Sequence, residues 1–184
     1  MRVIAGEWRG RRLLAPKGDV TRPTADRMRE TLFSMLVSRL GSFAGLSVLD
    51  LFAGSGALGL EALSRGAASC LFVEHDAGAL KALRANVASL AERGRATVQA
   101  ASVMALGPAR NSCDLVLLDP PYRTGAGQVA LERLLRLGWI GPQSWVALET
   151  GGEEAIAVGG LRIESERRVG KGKLTLLRPV PAEG

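Results

Sequence analysis

Apolar and polar positions along the 184-residue chain follow two periods. Short runs that are almost wholly apolar or β-branched predict strands at Ser47–Leu51, Ser69–Glu74, Thr97–Ala100, Asp114–Asp119, Ser144–Glu149, Leu161–Arg167 and Leu174–Arg178. Between most of them apolar residues recur at helical spacing, predicting helices near Leu58–Ser64, Gly78–Ala91 and Gln128–Leu137. Strands separated by helices of this length imply right-handed βαβ units and a mostly parallel sheet. Only Val169-Gly170-Lys171-Gly172 separates the last two strands, too little for a crossover, so they are expected to pair antiparallel. The expectation is an α/β fold with seven strands, mostly parallel, closed by a C-terminal antiparallel hairpin.

The chain before Leu46 has a different texture. Two short strands are predicted near Arg2–Ala5 and Arg12–Leu14, around a turn region at Gly6-Glu7-Trp8-Arg9-Gly10. Gly18 and Asp19 mark a loop, and Arg22-Pro23-Thr24 precedes a helix that Gly41 ends. Thr24 fits an N-cap, with Arg27 where a capping box would place Glu or Gln, and Met28, Leu32, Met35 and Leu36 form the apolar face. The organisation read from this is a hairpin-plus-helix extension over 1–41 and a larger domain over 42–184. There is no internal repeat.

Composition narrows the class. Hydrophobic residues make up 47% and charged residues 23%, ordinary for a globular protein. No apolar run approaches the ~20 residues of a membrane helix, and Met1–Glu7 lacks the apolar stretch of a signal peptide. Two cysteines without ligand spacing, Cys70 and Cys113, point to reduced thiols and a cytoplasmic setting. With His75 the lone histidine, no metal site is expected. The net charge of +6 is concentrated: residues 1–39 hold nine Lys or Arg against four acids, while the rest is nearly neutral. Such an appendage fits a polyanionic partner, with Arg9, Arg11, Arg12, Arg22, Thr24 and Arg27 as candidate contacts, or a solvated basic face. A monomer is expected, since no long heptad is present.

The first chemistry-bearing element follows the Ser47–Leu51 strand. Gly54, Gly56 and Gly59 satisfy G-x-G-x-x-G between a strand and a helix, and Glu74 ends the next strand, where a carboxylate can accept ribose hydroxyls. This pattern serves NAD and S-adenosylmethionine alike. Asp50 separates them. An anion at the strand exit repels a pyrophosphate but suits ammonium and sulfonium groups. It could instead hydrogen-bond the glycine loop.

The second element is Asp119-Pro120-Pro121-Tyr122, after the apolar run Leu115–Leu118. Two prolines cannot continue a central strand, and they stiffen the turn. The Asp119 carboxylate and the Pro120 carbonyl are both acceptors, and an exocyclic NH₂ offers two hydrogens. Accepting both would aim the nitrogen lone pair at a sulfonium methyl, while Tyr122 stacks on the base. Positioning and electrostatics would then carry the rate, with no strong base required.

Asp119–Tyr122 resembles the (Asp/Asn/Ser)-Pro-Pro-(Tyr/Phe) signature of amino-methyltransferases, whose fold is the Rossmann-like class I S-adenosylmethionine-dependent one. The stretches Arg2-Val3-Ile4-Ala5-Gly6-Glu7-Trp8-Arg9-Gly10-Arg11 and Arg22–Phe33 resemble the RsmD family, which methylates the N2 amine of a guanine in bacterial small-subunit ribosomal RNA. The resemblance extends from Arg2 to about Arg178. It implies cofactor contacts at Asp50, Phe52, Gly54, Gly56, Glu74, His75, Ser102 and Asp119, and a base held by Asp119, Pro120, Pro121 and Tyr122. It also places Arg22, Thr24, Arg27 and Glu30 near the site; Arg22 would meet RNA or pair with Glu30 or Asp26. One departure stands out. Gln99-Ala100-Ala101-Ser102-Val103 lacks the acidic residue expected to receive the adenine amine, leaving Ser102 or backbone as substitutes.

Three other readings compete. A DNA adenine or cytosine amino-methyltransferase shares the tetrapeptide, but would need a target-recognition domain. A non-catalytic RNA-binding assembly factor would not need both motifs intact. An NAD-dependent oxidoreductase is disfavoured by Asp50. The implied partner is ribosomal RNA or the assembling small subunit; Lys171 and Lys173 could add to its footprint.

Overall fold

The computed structural model describes residues 1–18, 23–91 and 94–181. Seven strands, β1 (Ser47–Leu51), β2 (Ser69–Glu74), β3 (Ala96–Ala100), β4 (Cys113–Leu118), β5 (Ile140–Gly151), β6 (Leu161–Val169) and β7 (Gly172–Pro179), form one sheet in the order β3-β2-β1-β4-β5-β7-β6. The first five are parallel, and β7 runs antiparallel to both β5 and β6. The chain winds outward from β1 in one direction and from β4 in the other. That reversal opens a crevice beyond the carboxyl ends of β1 and β4.

Both faces of the central strands are covered, which is why β1 and β4 read as nearly continuous apolar runs, while the edge strands β3 and β6 do not. In β1 and β4 alternate residues serve opposite cores. Val48, Leu115 and Leu117 join one with α1 (Pro23–Leu40), α2 (Ala57–Ser64) and α3 (Ala77–Leu90). Leu49, Leu51, Val116 and Leu118 join the other with α4 (Ala126–Arg136) and the short turn Val103–Ala105. Val3, Trp8 and Leu13 of the N-terminal segment pack in the same cluster as α1, α2 and α3.

Buried polar side chains hold that segment in place. Glu61 of α2, fully buried, accepts the Ile4 amide at 2.8 Å, the Ala5 amide at 3.1 Å and Arg65 Nε at 2.9 Å. Asn86 of α3 brackets Leu14, taking its amide at 2.8 Å and donating to its carbonyl at 2.9 Å. The same side chain donates to the Ser55 carbonyl at 2.9 Å, tying the segment to the glycine loop. Such contacts displace a regular ladder. The two predicted N-terminal strands pair over one antiparallel bridge, Arg2 with Arg12, flanked by Val3 N–H to the Arg11 carbonyl and Leu13 N–H to the Met1 carbonyl at 2.9 Å each; beyond it the Arg11 amide turns back to the Trp8 carbonyl and the Ala5 amide to Glu61.

Other boundaries shift for local reasons. Helix α1 starts at Pro23, so Thr24 lies inside the helix instead of capping it; proline suits a first position, whose N–H has no helical acceptor. Asp19 and Arg22 lie outside the described residues. Strand β5 begins at Ile140, before the predicted Ser144, and its pairing with β4 is irregular between Cys113 and Leu115. Pro142 cannot donate to a ladder there, and Ser144 Oγ bridges the gap, accepting from the Gly141 amide and donating to the Cys113 carbonyl. Strand β4 stops at Leu118, and Asp119 keeps one last hydrogen bond to β1, its amide donating to the Leu51 carbonyl at 3.4 Å.

Candidate active site

The register of the sheet assembles the site. Leu51 is level with Val73 and Leu118, and Leu118 with Leu148; all four side chains belong to the α4-side core. One residue further, Glu74, Asp119 and Glu149 therefore emerge on the opposite face, at the ends of β2, β4 and β5. Asp50 emerges on that face too, one pleat deeper on β1. Four carboxylates thus gather at one edge of a chain whose net charge is +6.

Asp50 is almost fully buried. Its Oδ2 accepts the Gly59 amide at 2.9 Å, so it does brace the helix after the glycine loop. Its Oδ1 is buried with no partner. Burial, and then the charge of Glu74, pushes its pKa up to about 8 against the pull of the Gly59 hydrogen bond. A carboxyl held this way gains most from a cation delivered into the site.

The loop between β1 and α2 is tight. Gly56 opens α2 with φ 85°, and Phe52 adopts the left-handed region at φ 56°, unusual for a side-chain-bearing residue. Gly59 packs flush on β2, where a Cβ would collide with the Phe72 ring and Cys70 Sγ. Glu74 clasps the loop. Its Oε1 takes the Gly54 amide at 2.9 Å, and its Oε2 takes the amides of His75 and Asp76, each at 2.8 Å.

Asp119 and Tyr122 meet at Glu149. The Tyr122 hydroxyl donates to Glu149 Oε1 at 2.5 Å, while its ring stays 42% exposed. The hydroxyl also packs over Gly172, where any side chain would displace it. Asp119 is open toward the crevice but enclosed by protein elsewhere. That enclosure, then the neighbouring Glu149 carboxylate, holds its pKa well above the usual carboxylate range. Partial burial and the bond to Glu149 raise the Tyr122 hydroxyl as well. Arg123, the next residue, is also left-handed at φ 61°, and its amide donates to Glu154 Oε1.

Two chambers adjoin here. An inner cavity of about 290 Å³ is lined by Asp50, Phe52, Gly54, Ser55, Asp119 and Arg29, among others. An outer cleft of about 1130 Å³ is lined by Thr24, Tyr122, Arg123, Arg168 and Lys171, among others. Glu149, Met28 and Ala25 border both. Arg29, 5% exposed, donates to the Arg2 carbonyl at 2.6 Å and to Asp26 at 3.4 Å, but its Nη1 has no partner. Burial lowers its pKa despite nearby Glu61.

Not every sequence-predicted residue reaches these chambers. Gly56, Glu74, Pro120 and Pro121 line neither chamber; His75 and Ser102 are exposed and border neither as well, and Ser102 Oγ is used to accept the Met104 amide. Thr24 borders the outer cleft, whereas Arg27 points to solvent and borders neither. Arg9, Arg11 and Arg12 are exposed. Arg11 donates to the Ser89 carbonyl near the end of α3, and Glu7 and Trp8 bond Ser64 at the end of α2. Because both helices begin at the crevice, those ends lie at the far edge of the sheet. Arg22 lies outside the described residues. Sequence reasoning missed Arg29, Glu149 and Arg123 as site residues; only Glu149 carried a signal, its position at the end of a strand adjacent to β4.

The strand order, the crevice at its switch point and the carboxylate behind a glycine loop define a Rossmann-like class I methyltransferase. The model of the family described as Conserved hypothetical protein 95 matches residues 1–178, and the chain belongs to that family, the RsmD family of its N-terminal motifs. It is 36% identical over 156 residues to the ribosomal RNA small subunit methyltransferase D of Escherichia coli (strain K12), covering 85% of this chain and 77% of that one. A Haemophilus influenzae protein of the same name is 36% identical over 154 residues, 82% of this chain and 78% of its own. The solved structure of the Escherichia coli protein yhhF superposes with a TM-score of 0.83 at 34% identity, over 97% of both chains. The chain is therefore an enzyme of the methyltransferase class.

Proposed function

We propose that this enzyme transfers a methyl group from S-adenosylmethionine to the exocyclic N2 of a guanine in bacterial small-subunit ribosomal RNA. The observation that carries the reading is the junction of the two chambers at Glu149, with Asp119 beside it on the wall of the inner cavity. An inner cavity suited to a cationic donor opens there onto an outer cleft flanked by an exposed aromatic ring and cationic side chains. The names of the curated relatives support ribosomal RNA as the substrate class.

The inner cavity fits the cofactor chemically. Asp50 Oδ1 and Arg29 Nη1 are buried polar atoms without partners on its walls, one suited to the cationic amino end and the other to the carboxylate of an amino acid. Glu74, with lone pairs remaining beyond its three backbone donors, is suited to ribose hydroxyls. When bound, S-adenosylmethionine supplies a sulfonium methyl whose displacement by an amine leaves a neutral thioether. Asp119 and the Pro120 carbonyl accept the two amine hydrogens and fix the nitrogen's lone pair. Pro120 and Pro121 keep those acceptors from drifting. The Asp119 carboxylate then takes the proton that the methylated nitrogen sheds. Tyr122 supports the base plane. The N-terminal extension, Arg123 and Lys171 supply cationic contacts for phosphates.

Asp119→Ala tests the assignment. It should retain cofactor binding in calorimetry within a few-fold, while transfer to small-subunit RNA falls by about 10²–10³-fold. Near-normal turnover would sink the role given to Asp119.

A further inference from the structure

The proposed reaction requires an amine, and guanine, adenine and cytosine all carry one. Asp119 alone cannot choose among them. The structure places a second carboxylate beside it. Because Leu118 and Leu148 are register partners, Asp119 and Glu149 stand next to each other at the ends of adjacent parallel strands, on one face. Glu149 also borders both chambers, so it faces whatever passes from the outer cleft toward the cofactor cavity. Tyr122 donates to its Oε1 and thereby fixes its orientation. Among the described residues Glu149 takes that hydroxyl and lies within hydrogen-bonding reach of the Asp119 carboxyl, so the two carboxyls can share a proton that a base bearing two donors would replace.

Two adjacent acceptors ask for two adjacent donors. Adenine offers its NH₂ beside N1, an acceptor; cytosine offers its NH₂ beside N3, also an acceptor. Guanine differs on its pairing edge, where the N2 amine adjoins N1–H, a donor. Against adenine or cytosine the second carboxylate would face a ring-nitrogen lone pair, acceptor against acceptor, in a site partly closed to water. Resting on the function proposed above, we infer that Glu149 determines base specificity. Its carboxylate accepts the ring N1–H while Asp119 accepts from the amine, so a donor ring nitrogen beside the amine is a condition for transfer. Tyr122 serves twice: its ring supports the base and its hydroxyl holds Glu149 in the plane that reads it.

The test replaces the N1–H and C6 carbonyl of the target guanine by an unprotonated N1 and a C6–H. At the methylated guanosine, once mapped, small-subunit RNA is rebuilt with 2-aminopurine, which keeps the C2 amine but has an unprotonated N1. With the wild-type enzyme kcat/KM for guanine should exceed that for 2-aminopurine by about 10–100-fold. In Glu149→Gln the carboxamide can donate to that N1, and the ratio should collapse toward one or invert. Tyr122→Phe, which frees the Glu149 carboxylate it holds, should lower activity and bring the ratio part of the way toward one, by about three- to ten-fold. Inosine at the same position, with N1–H and no amine, should bind the wild type as an inhibitor and lose about 10-fold in affinity with Glu149→Gln; this readout needs no turnover and decides if the variant is inactive. A wild-type ratio near one, or an unchanged ratio and inosine affinity in Glu149→Gln, overturns the inference while leaving N2 methylation intact. No methyl group on the exocyclic nitrogen of the wild-type product would instead overturn the function on which it rests.

Discussion

The crevice gathers acids and the Gly6–Gly10 turn carries bases, and the two are built by opposite means. At the crevice, acids gather because sheet register brings Glu74, Asp119 and Glu149 to one level at adjacent strand ends, with Asp50 one pleat deeper on the same face. At the turn, Arg9 and Arg11 sit on an irregular segment that depends on Glu61, Ser64 and Asn86 reaching out from two helices. One region is a product of the fold and the other an attachment to it. The difference explains how a chain with a net charge of +6 keeps an acidic pocket for a cation: the positive charge is carried elsewhere. The attachment still reaches the pocket, because Met1, Ala15 and Pro16 line the inner cavity.

The largest effect should come from severing the attachment. Glu61→Ala strands two backbone amides and Arg65 in the interior, and should cost about 3 kcal/mol in denaturant unfolding. A loss below about 1 kcal/mol would mean the segment is not clasped by Glu61.

The crevice has a signature in pH. An aspartate titrates near 4 in the unfolded chain, and burial raises Asp50 to about 8 in the folded one. Between those values the folded state holds a proton that the unfolded state has released, so the unliganded protein loses stability as pH rises from about 4 to about 8. The slope assigned to this group is up to about 1.4 kcal/mol per pH unit. Subtracting the Asp50→Asn stability profile from that of wild type should isolate it; a flat difference would contradict the assignment.

A smaller effect would show how far the RNA footprint extends. Reversing the charges of Arg9, Arg11 and Arg12 should reduce the slope of log Kd against log salt by about 2 if the RNA spans to the far edge of the sheet. Reversing Arg123 and Lys171 at the outer cleft should reduce it by about 1. An unchanged slope in the first variant would confine the footprint to the crevice side.

The two regions were also unequally legible. Asp50, Gly54, Glu74 and Asp119–Tyr122 could be located from sequence because each is anchored to a strand end, and strand ends follow from apolar runs and prolines. Glu149 was read as the end of a strand and nothing more; its partnership with Asp119 depends on which strand lies next to β4, a fact of topology. Arg29 falls on a helix among apolar residues, and its unpaired nitrogen at a cavity wall is a tertiary fact. The N-terminal strands were overread for a related reason. Local alternation favoured a longer hairpin, but after the Arg2–Arg12 bridge the Arg11 amide turns back to the Trp8 carbonyl, and Glu61, 56 residues away, takes the Ala5 amide.

The central claim, that this crevice methylates guanine N2, is met most directly by nucleoside mass spectrometry of small-subunit RNA. Unmethylated, assembling particles are incubated with the enzyme and methyl-labelled S-adenosylmethionine, then digested. The account predicts label in N2-methylguanosine at a single position, with none from Asp119→Ala. Label in methyladenosine, methylcytidine or protein, or none from the wild type, would contradict it.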